Sequence, residues 1–149
     1  MALRVLIVDD QQDFVESLAE PIRAWGYEVQ TALDGNAAIE IASHFQPNVI
    51  LLDIMMPEMD GYKVAKKLRE VVDFKNCTII GVTALGSDAH RYQGYDAGFH
   101  HYEVKPVDPE KIKNMLMTVE RSLVIEAEQR QGGMNALAEK LAGKKKKVS

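Results

Sequence analysis

Continuous apolar runs and apolar positions at helical spacing alternate five times along the chain. Val5–Val8 is an unbroken apolar run, after which Phe14, Leu18, Ile22 and Trp25 recur on one helix face. Gly26 is placed to end that helix, and Pro21 inside it predicts a kink or a weakened turn. Glu28–Ala32 reads as a short, more polar strand. Asp34-Gly35 makes a turn into a helix whose face is Ala37, Ala38, Ile41 and Ala42, and Pro47 precedes the strand Val49–Leu52. A loop with Met56-Pro57 and Asp60-Gly61 leads to a helix with Val64, Ala65, Leu68 and Val72 on one face. Thr78–Val82 is the fourth strand. Ser87 or Asp88 can cap a fourth helix that ends near Ala97-Gly98, and His100–Val104 is the fifth strand. Pro109 then sits in the first turn of the last helix, with Asp108 as its N-cap.

The first, third and fourth strands are the most apolar, as strands covered on both faces should be. The second and fifth are more polar and suit the edges. Right-handed crossovers then predict an α/β fold: a doubly wound, five-stranded parallel sheet in the order 2-1-3-4-5, sandwiched between helix layers.

Composition adds limits. The 149 residues are enough for one domain with its own core. Residues 1–120 carry 11 Lys and Arg against 19 Asp and Glu, while residues 121–149 carry 7 against 3. A body of net charge −8 argues against direct nucleic-acid binding as its task. Cys77 is the only cysteine, which excludes an intrachain disulfide; it reads as a small hydrophobe before a strand. No run approaches the roughly 18 apolar residues of a membrane span. The amino terminus leads directly into a strand, so no signal peptide is expected and the protein reads as cytoplasmic.

The candidate chemistry lies where strands end. Asp9-Asp10 follows RVLIV, Asp53 follows NVILL, Thr83 follows TIIGV and Lys105 follows HHYEV. In an open α/β sheet the carboxyl ends of the strands meet at one crevice. Three carboxylates, a hydroxyl and an ammonium would converge there. Hard oxygen donors without His or Cys favour Mg²⁺ over zinc. A carboxylate such as Asp53 can act as a nucleophile and form an aspartyl-phosphate, with the metal, Lys105 and Thr83 each facing one phosphoryl oxygen.

These residues carry a resemblance. Asp9-Asp10, Asp53 within LLDIMMPEMDG, Thr83-Ala84 and Lys105-Pro106 within GYDAGFHHYEVKPVD resemble the receiver domain of two-component response regulators over roughly residues 2–120. The likeness is to a stand-alone, chemotaxis-type receiver of flavodoxin-like fold. It implies that Asp53 is the phosphoacceptor and that Mg²⁺ is held by Asp10, Asp53 and the main-chain carbonyl of Met55, with Asp9 acting mostly through water. It also implies a cis Lys105–Pro106 bond, a switch pair of Thr83 and Tyr102, and an output face made by the fourth helix, fifth strand and fifth helix. Met55 and Leu85 occupy the two positions that tune phosphoryl lifetime in the family. Neither can orient an attacking water, so unaided hydrolysis should not be fast.

The domain expectation is a receiver over residues 1–120 and a helical extension with a basic tail over 121–149, with no output domain. Ile112, Met115, Leu116, Val119, Leu123 and Ala127 carry one stripe to about Arg130, where Gly132-Gly133 should break the helix before a short amphipathic segment. The extra apolar surface can pack back on the domain or pair two chains as a homodimer. Lys144–Lys147 reads as a solvated, disordered end. The expected function is a phosphorylation-dependent switch, not an enzyme, fed by a sensor histidine kinase or phosphotransfer protein and read by a protein partner. The alternative is a phosphorelay intermediate that passes its phosphoryl group to another protein's His. A phosphohydrolase reading is weak because Ile54-Met55 follows Asp53, with no second acid two residues on.

Overall fold

Five parallel strands form the centre of the computed structural model, which describes residues 2–56, 59–73, 76–84 and 98–148, without the side chains of Met59 and 144–148. They are β1 (Arg4–Val8), β2 (Glu28–Ala32), β3 (Val49–Asp53), β6 (Thr78–Thr83) and β7 (His101–Val104), arranged β2-β1-β3-β6-β7. Counted within this sheet, that is the expected order 2-1-3-4-5. β1 and β3 are almost wholly buried, as their continuous apolar runs require.

Helices α1 (Gln12–Ala24), α2 (Gly35–Phe45), α3 (Gly61–Val71) and a terminal helix (Pro109–Val148) complete the described elements. Ile7, Leu51, Ile80 and Val82 pack on one face of the sheet with α1 and with Ile112 and Leu116 of the terminal helix. Leu6, Ile50, Leu52 and Ile79 pack on the other face with α2 and α3. Cys77 is buried beside that second core, and desolvation pushes its thiol up to about 12, so it behaves as the small hydrophobe its context suggested. The expected fourth helix, with Ser87 or Asp88 as its cap, lies outside the described residues.

Helix α1 runs through Pro21 to Ala24 and stops before Gly26, as expected; the ring removes one donor, and the Trp25 N–H donates to the Pro21 carbonyl at 3.0 Å. Two local expectations are corrected. The loop after β3 contains an antiparallel pair of two-residue strands, β4 (Met55–Met56) and β5 (Met59–Asp60), too short to leave a periodic signal. Gly132-Gly133 does not break the terminal helix, and the helix includes the Lys144–Lys147 run. Two glycines cost about 1 kcal/mol each relative to Ala, but strong helix formers flank them. The Gln131 side-chain amide also bridges the pair by donating to Asn135 at 3.1 Å.

Asp108 caps the terminal helix as expected, accepting from the Glu110 N–H at 3.0 Å. Glu103 of edge strand β7 is unexpectedly buried; His101 lies within hydrogen-bond distance at 3.0 Å, and Lys111 at 3.3 Å pairs its charge and ties β7 to the helix base. Gly61, at the start of α3, lies against the β3 exit. A Cβ there would come within 2.5 Å of the Ile54 Cα and 2.7 Å of the Asp53 carbonyl oxygen, and backbone cannot yield cheaply. Gly61→Ala should therefore lower the urea midpoint, with a loss of about 2 kcal/mol or more and an unchanged m-value.

Candidate functional site

Strand register assembles the crevice. Val8 pairs with Leu52 and Asp53 with Val82, so Asp9, Asp53 and Thr83 leave the sheet side by side. Thr83 pairs with Val104, and the Lys105 N–H donates to the Thr83 carbonyl at 2.8 Å, which sets Lys105 at the same edge. The Lys105–Pro106 bond is cis, as the resemblance implied.

Asp9, Asp53 and Thr83 are buried, whereas Asp10 is exposed. Each of the three aspartates offers a carboxylate oxygen within 4.8 Å of the other two. The Lys105 ammonium lies 2.8 Å from Asp9 Oδ2 and 3.8 Å from Asp53 Oδ2. The second Asp9 oxygen accepts from the Gln11 N–H at 2.9 Å, and Asp53 Oδ1 accepts from the Met55 N–H at 3.1 Å. With all three carboxylates ionised, Lys105 leaves a net charge of −2 among these four groups. Clustered hard oxygens of that charge suit a divalent cation of the Mg²⁺ or Ca²⁺ type.

Burial pushes the Asp53 carboxyl up to about 6, opposed by the Met55 N–H, raised further by Asp9, lowered by Lys105 and raised by Asp10. Asp53 is thus the strained member of the cluster before any cation arrives.

Two kinds of residue escaped the sequence reading. Phe14 was assigned only to a helix face, yet its ring lies under Lys105, 4.4 Å from centroid to Nζ, and holds that ammonium over the crevice. Phe99 and Tyr62 were also missed as partners of Tyr102, the expected switch residue: Tyr102 packs on Phe99 with ring centroids 5.3 Å apart, and Phe99 meets Tyr62 edge-on at 5.9 Å. The Tyr62 and Tyr102 hydroxyls share a hydrogen bond. Gly81 gives this aromatic group its space, since a Cβ there would come within 2.9 Å of the Tyr102 ring. The aromatic residues themselves were the available signal, but no spacing rule unites positions 62, 99 and 102. Met55 sits at the crevice in β4 and is exposed, while Leu85 lies outside the described residues.

Comparison with known proteins adds three findings. The family model for the response regulator receiver domain matches residues 5–117. The response regulator PleD of Caulobacter vibrioides is 39% identical over 108 residues, covering 72% of this chain and 24% of that protein. The probable transcriptional regulator ycf27 of Cyanophora paradoxa is 38% identical over 118 residues, 79% of this chain and 48% of its own length. The chain therefore spans about a quarter to a half of these curated relatives. Among solved structures, the Vibrio cholerae chemotaxis protein CheY4 superposes with a TM-score of 0.75 at 31% identity, covering 80% of this chain and 99% of that one.

The raised Asp53 pKa has a direct consequence for stability. An unfolded chain holds Asp near about 3.9, so the native metal-free protein binds this proton more tightly and loses stability as pH rises from about 4 through about 6. In EDTA, Asp53→Asn should be more stable than wild type by about 1–2 kcal/mol at neutral pH, with the gap closing near pH 4. Urea titrations across that range check it. Added Mg²⁺ should raise the wild-type midpoint more than that of Asp53→Asn.

Proposed function

Because the chain belongs to the response regulator receiver domain family, we propose that it is a phosphorylation switch in which Asp53 takes a phosphoryl group from a phosphohistidine. Receivers of this kind take and lose their phosphoryl group themselves and are not turnover enzymes. The observation that carries the reading is the convergence of Asp9, Asp10 and Asp53 beside Lys105 at the carboxyl end of the sheet.

The Asp53 carboxylate forms the new P–O bond as the donor's P–N bond breaks, and the donor imidazole keeps the departing electron pair. Asp10, Asp53 and the Met55 main-chain carbonyl would hold Mg²⁺, with Asp9 mostly behind a water. Bound there, the ion supplies charge neutralisation at a phosphoryl oxygen. Lys105, 3.8 Å from Asp53 Oδ2, is within a short swing of a second oxygen, and the Thr83 hydroxyl faces the third. Its burial at the end of β6, beside Asp53, supports that role. Tyr102 would relay the Thr83 movement to the surface of β7 and the terminal helix, where a protein partner reads it. Residues 1–120 serve as the receiver, and residues 121–149 extend its last helix.

Among the described residues, no helix is long and apolar enough to cross a membrane. A sensor histidine kinase or phosphotransfer protein is the proposed donor. The phosphorelay alternative uses the same site, and rapid return of the phosphoryl group to a phosphotransfer His would favour it.

Incubation with a small phosphodonor and Mg²⁺ should label the wild type, while Asp53→Ala stays unlabelled. Labelling of Asp53→Ala would remove the central assignment. After donor removal the wild-type signal should decay over minutes or longer, because the exposed Met55 thioether cannot orient an attacking water. A half-life of seconds would refute that part.

A further inference from the structure

The amino-terminal end of the sheet, opposite the acidic crevice, carries a groove of about 500 Å³ between the domain and the terminal helix. Leu3 and Pro47 line one wall, and Leu123, Val124 and Ala127 line the other. Along this groove and beyond it, every helix residue from Val124 to Gly143 is exposed. The exposed stretch is not polar all round. Met134, Leu137 and Leu141 are each more than half exposed. With Leu123 and Ala127 they continue a single seam, interrupted once by Arg130, at the alternating three- and four-residue steps of a heptad.

A lone projecting helix gains nothing from packing, and this one also carries two interior glycines. The stripe calls for a cover, and the charges choose it. Parallel pairing of this seam would set Lys140 beside Lys145 of the second copy, a like-charge contact. Antiparallel pairing sets Lys140 beside Glu126, which rims the groove, and brings Leu141 to Leu123 and Leu137 to Ala127. The same register centres the two-fold at Gly132, between the layers that pair Arg130 with Met134. It also carries the basic end, Lys144–Lys147, toward the acidic body of the second copy. Each helix end thus meets the groove that the other chain leaves open.

We propose that this chain forms a two-fold antiparallel dimer in which residues 134–141 of each copy lie in the groove between the other copy's domain and terminal helix. The contact is isologous, so one surface patch serves both copies. It is separate from the chemistry at Asp53.

Sedimentation velocity on the full chain tests it. Wild type should sediment as a dimer in the micromolar range. Leu137→Glu should weaken self-association roughly a hundredfold, the scale of leaving a carboxylate unpaired in an apolar seam. That variant should still take label at Asp53, which shows its domain is folded and keeps this test distinct from the proposed function. In a second arm, an equal mixture of Leu123→Cys and Leu141→Cys chains is oxidised. Antiparallel packing brings these positions within about 7 Å, so the mixed disulfide should dominate. Buried Cys77 does not compete. A monomeric wild type overturns the proposal. So does preferential Leu141→Cys self-crosslinking, which means parallel helices, or a Leu123→Cys/Leu141→Cys double variant that closes within one monomeric chain, which means fold-back at Gly132-Gly133.

Discussion

The mutual repulsion of three carboxylates at one sheet edge organises this molecule. Asp9 and Asp53 are buried and Asp10 stands at the rim, so their charges are only partly screened by water. The Lys105–Asp9 ion pair at 2.8 Å offsets part of that repulsion and joins β1 to the end of β7 across the sheet. It also reserves Asp9, whose other oxygen already accepts from Gln11. Asp53 is left without a close ion pair, and its pKa is raised chiefly by burial, with Asp9 and Asp10 adding to it. A group held in this condition gains from a divalent cation that offsets its neighbours' charge.

Around this centre the fold supplies position more than chemistry. The continuous apolar runs of β1 and β3 make their register strict, since both faces are covered. Strict register is what brings residues 9, 53, 83 and 105 to one place. Phe14 and Gly61 serve the same end, one beneath Lys105 and the other against the β3 exit. The aromatic trio Tyr62, Phe99 and Tyr102 spans α3 and β7 and is packed over Gly81. It gives the crevice a physical neighbour on the outer side of the sheet.

Strand identity, sheet order and the strand-end residues were legible in the sequence because they rest on runs of apolar residues and on abrupt changes to polar ones. The features that were not legible depend on contacts between distant elements. Nothing in positions 14 and 105 announces a ring beneath an ammonium. Glu103 read as an edge residue, and only the placement of His101 and Lys111 makes its burial tolerable. Gly132-Gly133 read as a break because local propensity was weighed without the helix formers on either side.

The terminal helix begins four residues after Lys105 and is clamped at its base by buried Ile112 and Leu116 and by the Glu103–Lys111 pair. Its 40 residues make a rod about 60 Å long, at about 1.5 Å per residue. Met115, Val119 and Leu123 also pack on the domain, so the free arm begins past Leu123 and is about 38 Å long. A tilt of about 5° in the packed part would sweep its far end by about 3 Å. A small adjustment in how the helix seats on the domain is therefore multiplied at a distance by geometry alone.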